Sequence, residues 1–236
     1  MRPLRTGLSC VTLSRCRRTI FRWSSSKRAG VADVIVRDTS EATSHEEAVT
    51  TEAKKGYDLL FIGMDKMQMA NGAFNSEMDR IAFAFEGPIA IVIAQGKRLE
   101  EPTSSGLNIL VPITGTDVSR RAAEMAFSLG KGGTVTALYV GKTKRGKSRS
   151  QRLDRRHARE ILNDIAEMAS RYGSKIETRI LSGSAPADAI LAEAKNGAHD
   201  VIVMGVSQRP GDKLFFGDTA AAILATLPCS TLLLST

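Results

Sequence analysis

The chain contains 236 residues, 42% of them hydrophobic and 5% aromatic, which is the composition of one or two globular domains and not of a disordered chain. No apolar run approaches the roughly 20 residues that a membrane-spanning helix requires. The three cysteines, Cys10, Cys16 and Cys229, lie far apart, which indicates neither a disulfide framework nor a metal knuckle and favours a reducing, cytoplasmic location.

The formal net charge of +8 originates in the first part of the chain. Residues 1–30 contain eight basic and no acidic residues, which leaves 25 basic against 25 acidic residues in the remainder. Residues 1–43 are therefore predicted to be a disordered basic extension. Three interpretations remain open: a mis-called or non-native start, an organelle transit peptide, and a basic arm for nucleic acid or anionic lipid.

A partial structural unit is predicted over residues 44–95. After a polar helix at 45–55, Asp58 precedes an apolar run, a loop, a helix with apolar periodicity, a proline and a closing strand. This unit is too small to bury a good core alone, so we expect it to pack against another part of the chain. Met64, Met67 and Met69 have a spacing that Cu(I) accepts, but without a nearby Cys or His they are interpreted as packing residues.

A complete unit is predicted over residues 107–236, after a linker at 96–106. Five strands alternate with four helices, which predicts an α/β fold with a doubly wound, parallel five-stranded sheet. Its last part repeats the design of the partial unit: an aspartate, an apolar run, a loop, a helix, a proline and a strand. The spacing from Asp200 to Pro228 is 28 residues, and that from Asp58 to Pro88 is 30.

An anion is the natural ligand of the junction between the fourth strand and the last helix. Val201–Met204 is an unbroken apolar run, typical of a strand buried on both faces, and Gly205 ends it. A loop then leads to Gly217 and an Ala-rich helix. Backbone N–H groups and the helix dipole converge at such a junction, and doubly wound sheets bind ligands beyond the carboxyl ends of their strands.

The complete unit resembles the universal stress protein (UspA) superfamily, whose fold is Rossmann-like. NILVPITGTDVSRRAAEMA is similar to the opening strand and first helix of that family, and DVIVMG with FFGDTAAAILATLPCSTLLL is similar to its fourth strand, glycine loop, last helix and fifth strand. More narrowly, GVSQRPGDKLFFGDTAAAIL and FEGPIAIVIA resemble the tandem UspA-like cytosolic tails of Kef-like cation:proton antiporters.

The resemblance implies a site for ATP or another adenine nucleotide, with some departures. Nucleotide-binding members carry Asp where this chain has Thr114, and a G-x-x-G, nine residues, G-[ST] spacing where this chain has Gln208 at the second glycine and Asp218 after Gly217. The Asp218 carboxylate would repel a phosphate. The candidate residues are Pro112, Thr114, Gly115, Gly205, Ser207, Gly211, Gly217, Asp218 and Thr219. In the alternative interpretation the glycines make tight turns and Asp218 or Thr219 caps the last helix.

The function predicted on these grounds is a non-catalytic regulatory or stress-response module, the cytosolic tail fragment of an antiporter at the inner face of a membrane. A free-standing ATP-binding protein that dimerises and an ATP-hydrolysing enzyme of similar topology are the alternatives. His45, His157 and His199 lie in separate segments, so no catalytic or metal residues are predicted.

The resemblance also implies that the fifth strands, Ile89–Ile93 and Thr231–Leu234, can pair, either within the chain or across a homodimer. A membrane antiporter domain is the other partner that the resemblance implies. No nucleic-acid partner is expected, because the nine basic residues of 142–159 have no aromatic residue among them.

Overall fold

The computed structural model describes residues 8–13, 19–24, 33–38, 59–64, 74, 76–85, 87–95, 106–141, 148–208 and 214–235. These residues form ten strands: β1 Leu8–Leu13, β2 Thr19–Ser24, β3 Asp33–Asp38, β4 Leu59–Met64, β5 Ile89–Ile93, β6 Asn108–Ile113, β7 Thr134–Gly141, β8 Ile176–Ser182, β9 Val201–Val206 and β10 Ser230–Ser235. They also form five helices: α1 Ser76–Ala84, α2 Asp117–Leu129, α3 Ser148–Arg171, α4 Pro186–Asn196 and α5 Asp218–Thr226.

The predicted doubly wound parallel sheet is confirmed for the complete unit. Its strands lie in the order β10, β9, β6, β7, β8, and all neighbouring pairs among them are parallel. Helices α2 and α3 bury Phe127 and Leu162 against one face of the sheet, while α4 and α5 bury Ile190 and Ile223 against the other. Strands covered on both faces must be apolar at every position, which is why they read as continuous runs.

The two units join in one continuous sheet through their last strands. β5 and β10 pair antiparallel with Ile91 opposite Leu233, so each of these strands has neighbours on both sides. The pairing of β4 with β5 repeats that of β9 with β10 at a constant difference of 142 in residue number, as Leu60 opposite Ile89 corresponds to Ile202 opposite Thr231. The partial unit therefore shares the core of the complete unit, including Ile91 and Leu233 in one cluster.

Part of the basic extension belongs to this sheet, which corrects the expectation that residues 1–43 are disordered. β1 pairs parallel with β4, with Leu8 opposite Leu59, and β2 and β3 continue the sheet antiparallel to its far edge. β1 thus takes the place beside β4 that β6 takes beside β9. The physical reason is twofold: these segments are rich in β-branched and aromatic residues, and an uncovered β4 would present unpaired backbone groups.

Several predicted features lie outside the described residues. They are the polar helix at 45–55, Met67 and Met69, most of the linker at 96–106, and the basic loop at 142–147. Among the helices that are described, none is both long and apolar enough to cross a membrane.

Candidate functional site

The candidate site lies at the carboxyl ends of β6 and β9. These strands are parallel neighbours, with Ile109 opposite Val201, although they are the first and fourth strands of the complete unit. The chain leaves β6 for α2 on one face of the sheet and leaves β9 for the helices on the other face. Such a reversal opens a crevice between the two departing loops, as in other doubly wound sheets.

Thr114 lies in the first of these loops and begins a turn that side-chain hydrogen bonds with Thr116 and Ser119 stabilise. Its hydroxyl lies 2.9 Å from that of Thr116, and its amide donates to the hydroxyl of Ser119 over 3.4 Å. Thr116 is the N-cap of α2 and accepts a hydrogen bond from the amide of Ser119. Thr114 is exposed, so its hydroxyl can also contact a ligand, whereas Pro112 is buried within β6.

Gly115 is required by the helix that covers this turn. Its φ of 83° lies in the left-handed region, and a Cβ built there would lie 2.6 Å from Cδ1 of Ile161 on α3. A side chain at this position would therefore be strained by the backbone conformation, and the Ile161 side chain would have to move aside. The positive φ is thus the main reason for glycine at this turn.

Gly205 has a packing role. A Cβ at this position would lie 2.1 Å from the carbonyl oxygen of Val118 and 2.8 Å from the amide nitrogen of Ser119. The first turn of α2 therefore rests directly on the backbone of β9, where no side chain fits. This supports the interpretation of Gly205 as a structural glycine rather than as one that faces a ligand.

Gly217 is the N-cap of α5, which corrects the expectation that Asp218 or Thr219 caps this helix. Its φ of 94° and ψ of 164° fall in a region open essentially to glycine alone. Glycine has no side chain that could cap the helix, so among the described residues no side-chain cap hydrogen bond occupies the amides of its first turn. Asp218 and Thr219 are the first two helical residues, and Asp218 is exposed. The start of α5 thus differs from that of α2, which is capped by Thr116.

The remaining candidates lie on the loop between β9 and α5. Ser207 is exposed immediately beyond β9, at the same edge as Thr114. Gly211 lies outside the described residues. Sequence reasoning missed Thr116 and Ser119, although a Thr just before an apolar helical stripe is a signal for a capped helix start.

A second group of titratable residues lies near the amino end of β9, whereas the candidate site lies at its carboxyl end. His199 lies 3.5 Å from the carboxylate of Glu193 on α4, which also pairs with Arg179 of β8. Within the part of the chain that the structure describes, neither ring nitrogen of His199 has a hydrogen-bond partner. Burial is the largest influence and lowers the pKa of His199; Glu193 opposes it, and Arg179 adds to it. This group lies at the amino end of β9, away from the crevice.

Two further observations limit the chemistry of the described residues. Burial, aided by the charge of Asp200, raises the pKa of the Cys229 thiol to about 11, so this buried thiol stays protonated at neutral pH. Among the described residues, no group of three or more His, Cys, Asp or Glu side chains is arranged to hold a metal ion.

Comparison with known proteins assigns the family. The model of the universal stress protein family matches residues 107–235. A universal stress protein of Methanocaldococcus jannaschii is 30% identical over 135 residues, which cover 52% of this chain and 79% of that protein.

Two solved structures are also similar. A universal stress protein from Archaeoglobus fulgidus superimposes with a TM-score of 0.51 at 19% identity, over 77% of this chain and 62% of that chain. A universal stress protein family protein from Arabidopsis thaliana, solved with AMP bound, has a TM-score of 0.43 at 17% identity, over 55% of this chain and 91% of that chain. The chain belongs to the universal stress protein family.

Proposed function

We propose that this protein is a non-catalytic regulatory module that binds an adenine nucleotide, or another small anion, in the crevice between Thr114 and the start of α5. Binding in this crevice would let the concentration of the ligand regulate the protein or domain to which the module is coupled. The ligand class rests on the site itself and on family membership, since a relative has been solved with AMP bound.

The observation that carries this proposal is the uncapped start of α5 at Gly217. The first-turn amides of a helix need acceptors, and a phosphate oxygen is a good one because the helix dipole is positive there. Gly217 brings no side chain into the space above these amides, and its unusual backbone angles turn the chain into the helix. Across the crevice, the Thr114 hydroxyl is available to a ribose or an adenine.

The charges of the site favour a ligand of low charge. Asp117 begins α2 and Asp218 begins α5, so two exposed carboxylates flank the crevice. Each complements its own helix dipole but repels a phosphate. A nucleoside monophosphate or a cyclic nucleotide is therefore expected to bind more tightly than ATP in the absence of a divalent cation.

Calorimetric titration with AMP, cyclic AMP and ATP tests this proposal. Gly217→Ala should weaken binding, because alanine is strained at these backbone angles and would move the amides. Gly173→Ala is the matched control. Gly173 also has a positive φ, a Cβ there would meet nothing within 4 Å, and the residue lies near the amino end of β8, away from the crevice. Absence of heat with millimolar wild-type titrations would refute nucleotide binding, and phosphate release from ATP would refute the non-catalytic assignment.

We also propose that the chain is a tandem module, with the partial unit paired to the complete one in place of a second subunit. The antiparallel contact of Ile91 with Leu233 supports this, because equivalent strands then meet about a local twofold axis, as they would in a dimer. Self-association through these strands would require the sheet to open. Light scattering on a sizing column should give the mass of one chain; a stable dimer of the wild-type chain would contradict the proposal.

The resemblance of both units to antiporter tails leads us to propose that the module works in the cytoplasm, beneath a membrane transporter. Reading the genomic DNA upstream of this start tests the idea. A continuous frame encoding several apolar spans of roughly 20 residues would support it, and an unrelated gene would contradict it.

A further inference from the structure

The partial unit holds the segment that leads into the candidate anion site. Residues 214–217 form the last part of the loop between β9 and α5, and their side chains alternate in exposure: Leu214 and Phe216 are 4% and 8% exposed, and Phe215 is 41% exposed. The two buried side chains belong to the same core cluster as Ile81 and other residues of the partial unit. The segment is therefore packed onto α1 and not onto the complete unit alone.

Two specific contacts fasten this segment. The carboxylate of Asp79, in the middle of α1, accepts a hydrogen bond of 2.8 Å from the amide of Leu214. Asp79 is only 9% exposed, and a hydrogen bond to an ionised carboxylate is roughly twice as strong as one between neutral groups. The rings of Phe74 and Phe216 meet edge to face, with centroids 5.7 Å apart.

The hydrogen bond runs in one direction only. At the constant difference of 142 that relates the two units, Phe74 corresponds to Phe216, so the ring contact joins equivalent positions. Asp79 corresponds to Ala221 of α5, and an alanine side chain accepts no hydrogen bond. A side chain of the partial unit thus accepts a hydrogen bond from the loop of the complete unit, whereas the equivalent residue of the complete unit cannot accept one.

We propose that Asp79 is a positioning residue for the nucleotide site, and that the partial unit sets the ligand affinity of the complete unit. Leu214 lies three residues before Gly217, so fixing the Leu214 amide fixes where the first-turn amides of α5 point. When the contact is lost, the loop samples other arrangements, and the apparent dissociation constant rises in inverse proportion to the fraction of molecules that can still bind. This inference rests on the function proposed above and names the element that regulates it.

The test compares AMP binding to three variants by calorimetry. Asp79→Ala should bind about tenfold more weakly than wild type, the result expected if about a tenth of the molecules keep the loop in place. Asp79→Asn keeps a side-chain oxygen as acceptor and should stay within about threefold of wild type. Asp164→Ala is the matched control, since Asp164 is a helical aspartate whose ion pair with Arg120 is exposed, and it should bind as wild type.

Hydrogen exchange supplies a readout that a purely structural role would not move. Amides of residues 214–217 should exchange faster in Asp79→Ala while amides of β6 and β9 stay unchanged, because the defect is confined to the loop. Should Asp79→Ala fail to fold, Phe74→Leu keeps the apolar contact but loses the ring pair, and it should show the same pattern to a smaller degree.

The possible failures are distinguishable. No binding by wild type overturns the proposed function itself. Binding by wild type together with equal affinity and equal exchange of residues 214–217 in Asp79→Ala overturns only the positioning role of Asp79.

Discussion

Replacing Gly205 by alanine separates its two interpretations, a ligand-facing glycine and a packing glycine. The new Cβ would lie 2.1 Å from the carbonyl oxygen of Val118, whereas ordinary contacts begin at 3.4 Å, so α2 would have to move by about 1.3 Å. The obstacle is backbone, which cannot rotate aside as a side chain can. Overpacking of this kind costs typically about 1–3 kcal/mol, and we expect the upper end of that range.

Urea denaturation of the purified protein measures this cost directly. A loss of about 3 kcal/mol corresponds to a fall in melting temperature of about 6–12 °C for a chain of this size. Gly141→Ala is the matched control, because Gly141 ends strand β7 of the same sheet, separated from β9 by β6, and its Cβ would meet atoms only at 3.6 Å. That variant should be neutral or slightly more stable, since alanine restricts the unfolded chain.

The two variants together decide the matter. If Gly205→Ala unfolds within about 0.5 kcal/mol of wild type, the close approach of α2 to β9 is wrong, and the geometry built on it, including the turn at Thr114, is wrong as well. A large loss in Gly205→Ala alone would leave the packing role as the explanation.

Three further predictions concern charge and capping. Burial lowers the pKa of His199 in the folded chain, so as the pH falls the unfolded chain takes up a proton on this imidazole before the folded chain does. The contribution of neutral His199 to the free energy of unfolding is therefore complete above pH 6.5 and is lost as the pH falls. His199→Gln should flatten this dependence of stability on pH in denaturation midpoints measured between about pH 7.5 and 5. Asp218→Asn should tighten AMP binding about fivefold at low salt, because two unit charges 4 Å apart in water repel by about 1 kcal/mol, and the gain should shrink at 1 M salt. Unchanged affinity would place the phosphate elsewhere. Thr116→Val should lower the free energy of unfolding by about 1 kcal/mol through loss of the α2 cap. A stability equal to that of wild type would mean that the hydrogen bond from the Ser119 amide to the Thr116 hydroxyl does not stabilise the chain.

Local patterns were sufficient to predict the complete unit. Apolar runs such as Val201–Met204 are continuous because helices cover both faces of the sheet, and glycine or proline marks each boundary. The resemblance to the family implied that Ile89–Ile93 and Thr231–Leu234 can pair. In the register of β5 with β10, the equivalent residues Ile91 and Leu233 of the two units lie opposite each other.

Features that depend on how elements cross in space could not be predicted. Nothing near Gly205 in the sequence indicates that α2 passes over it, because the contact depends on the crossing point of two distant elements. Asp79 reads as an ordinary polar position on a helix, and only the folded chain brings it to Leu214. Phe74 and Phe216 could have been found, since each lies two residues before its helix in the two repeated units.

Amide NMR titration of the wild-type chain with AMP locates the ligand on the molecule. We expect saturable shifts at Gly217, Asp218 and Thr219, with smaller shifts at Thr114 and none at His199, which is buried near the amino end of β9. Shifts confined to other regions, or none at millimolar AMP, would contradict the claim that the uncapped start of α5 receives the ligand.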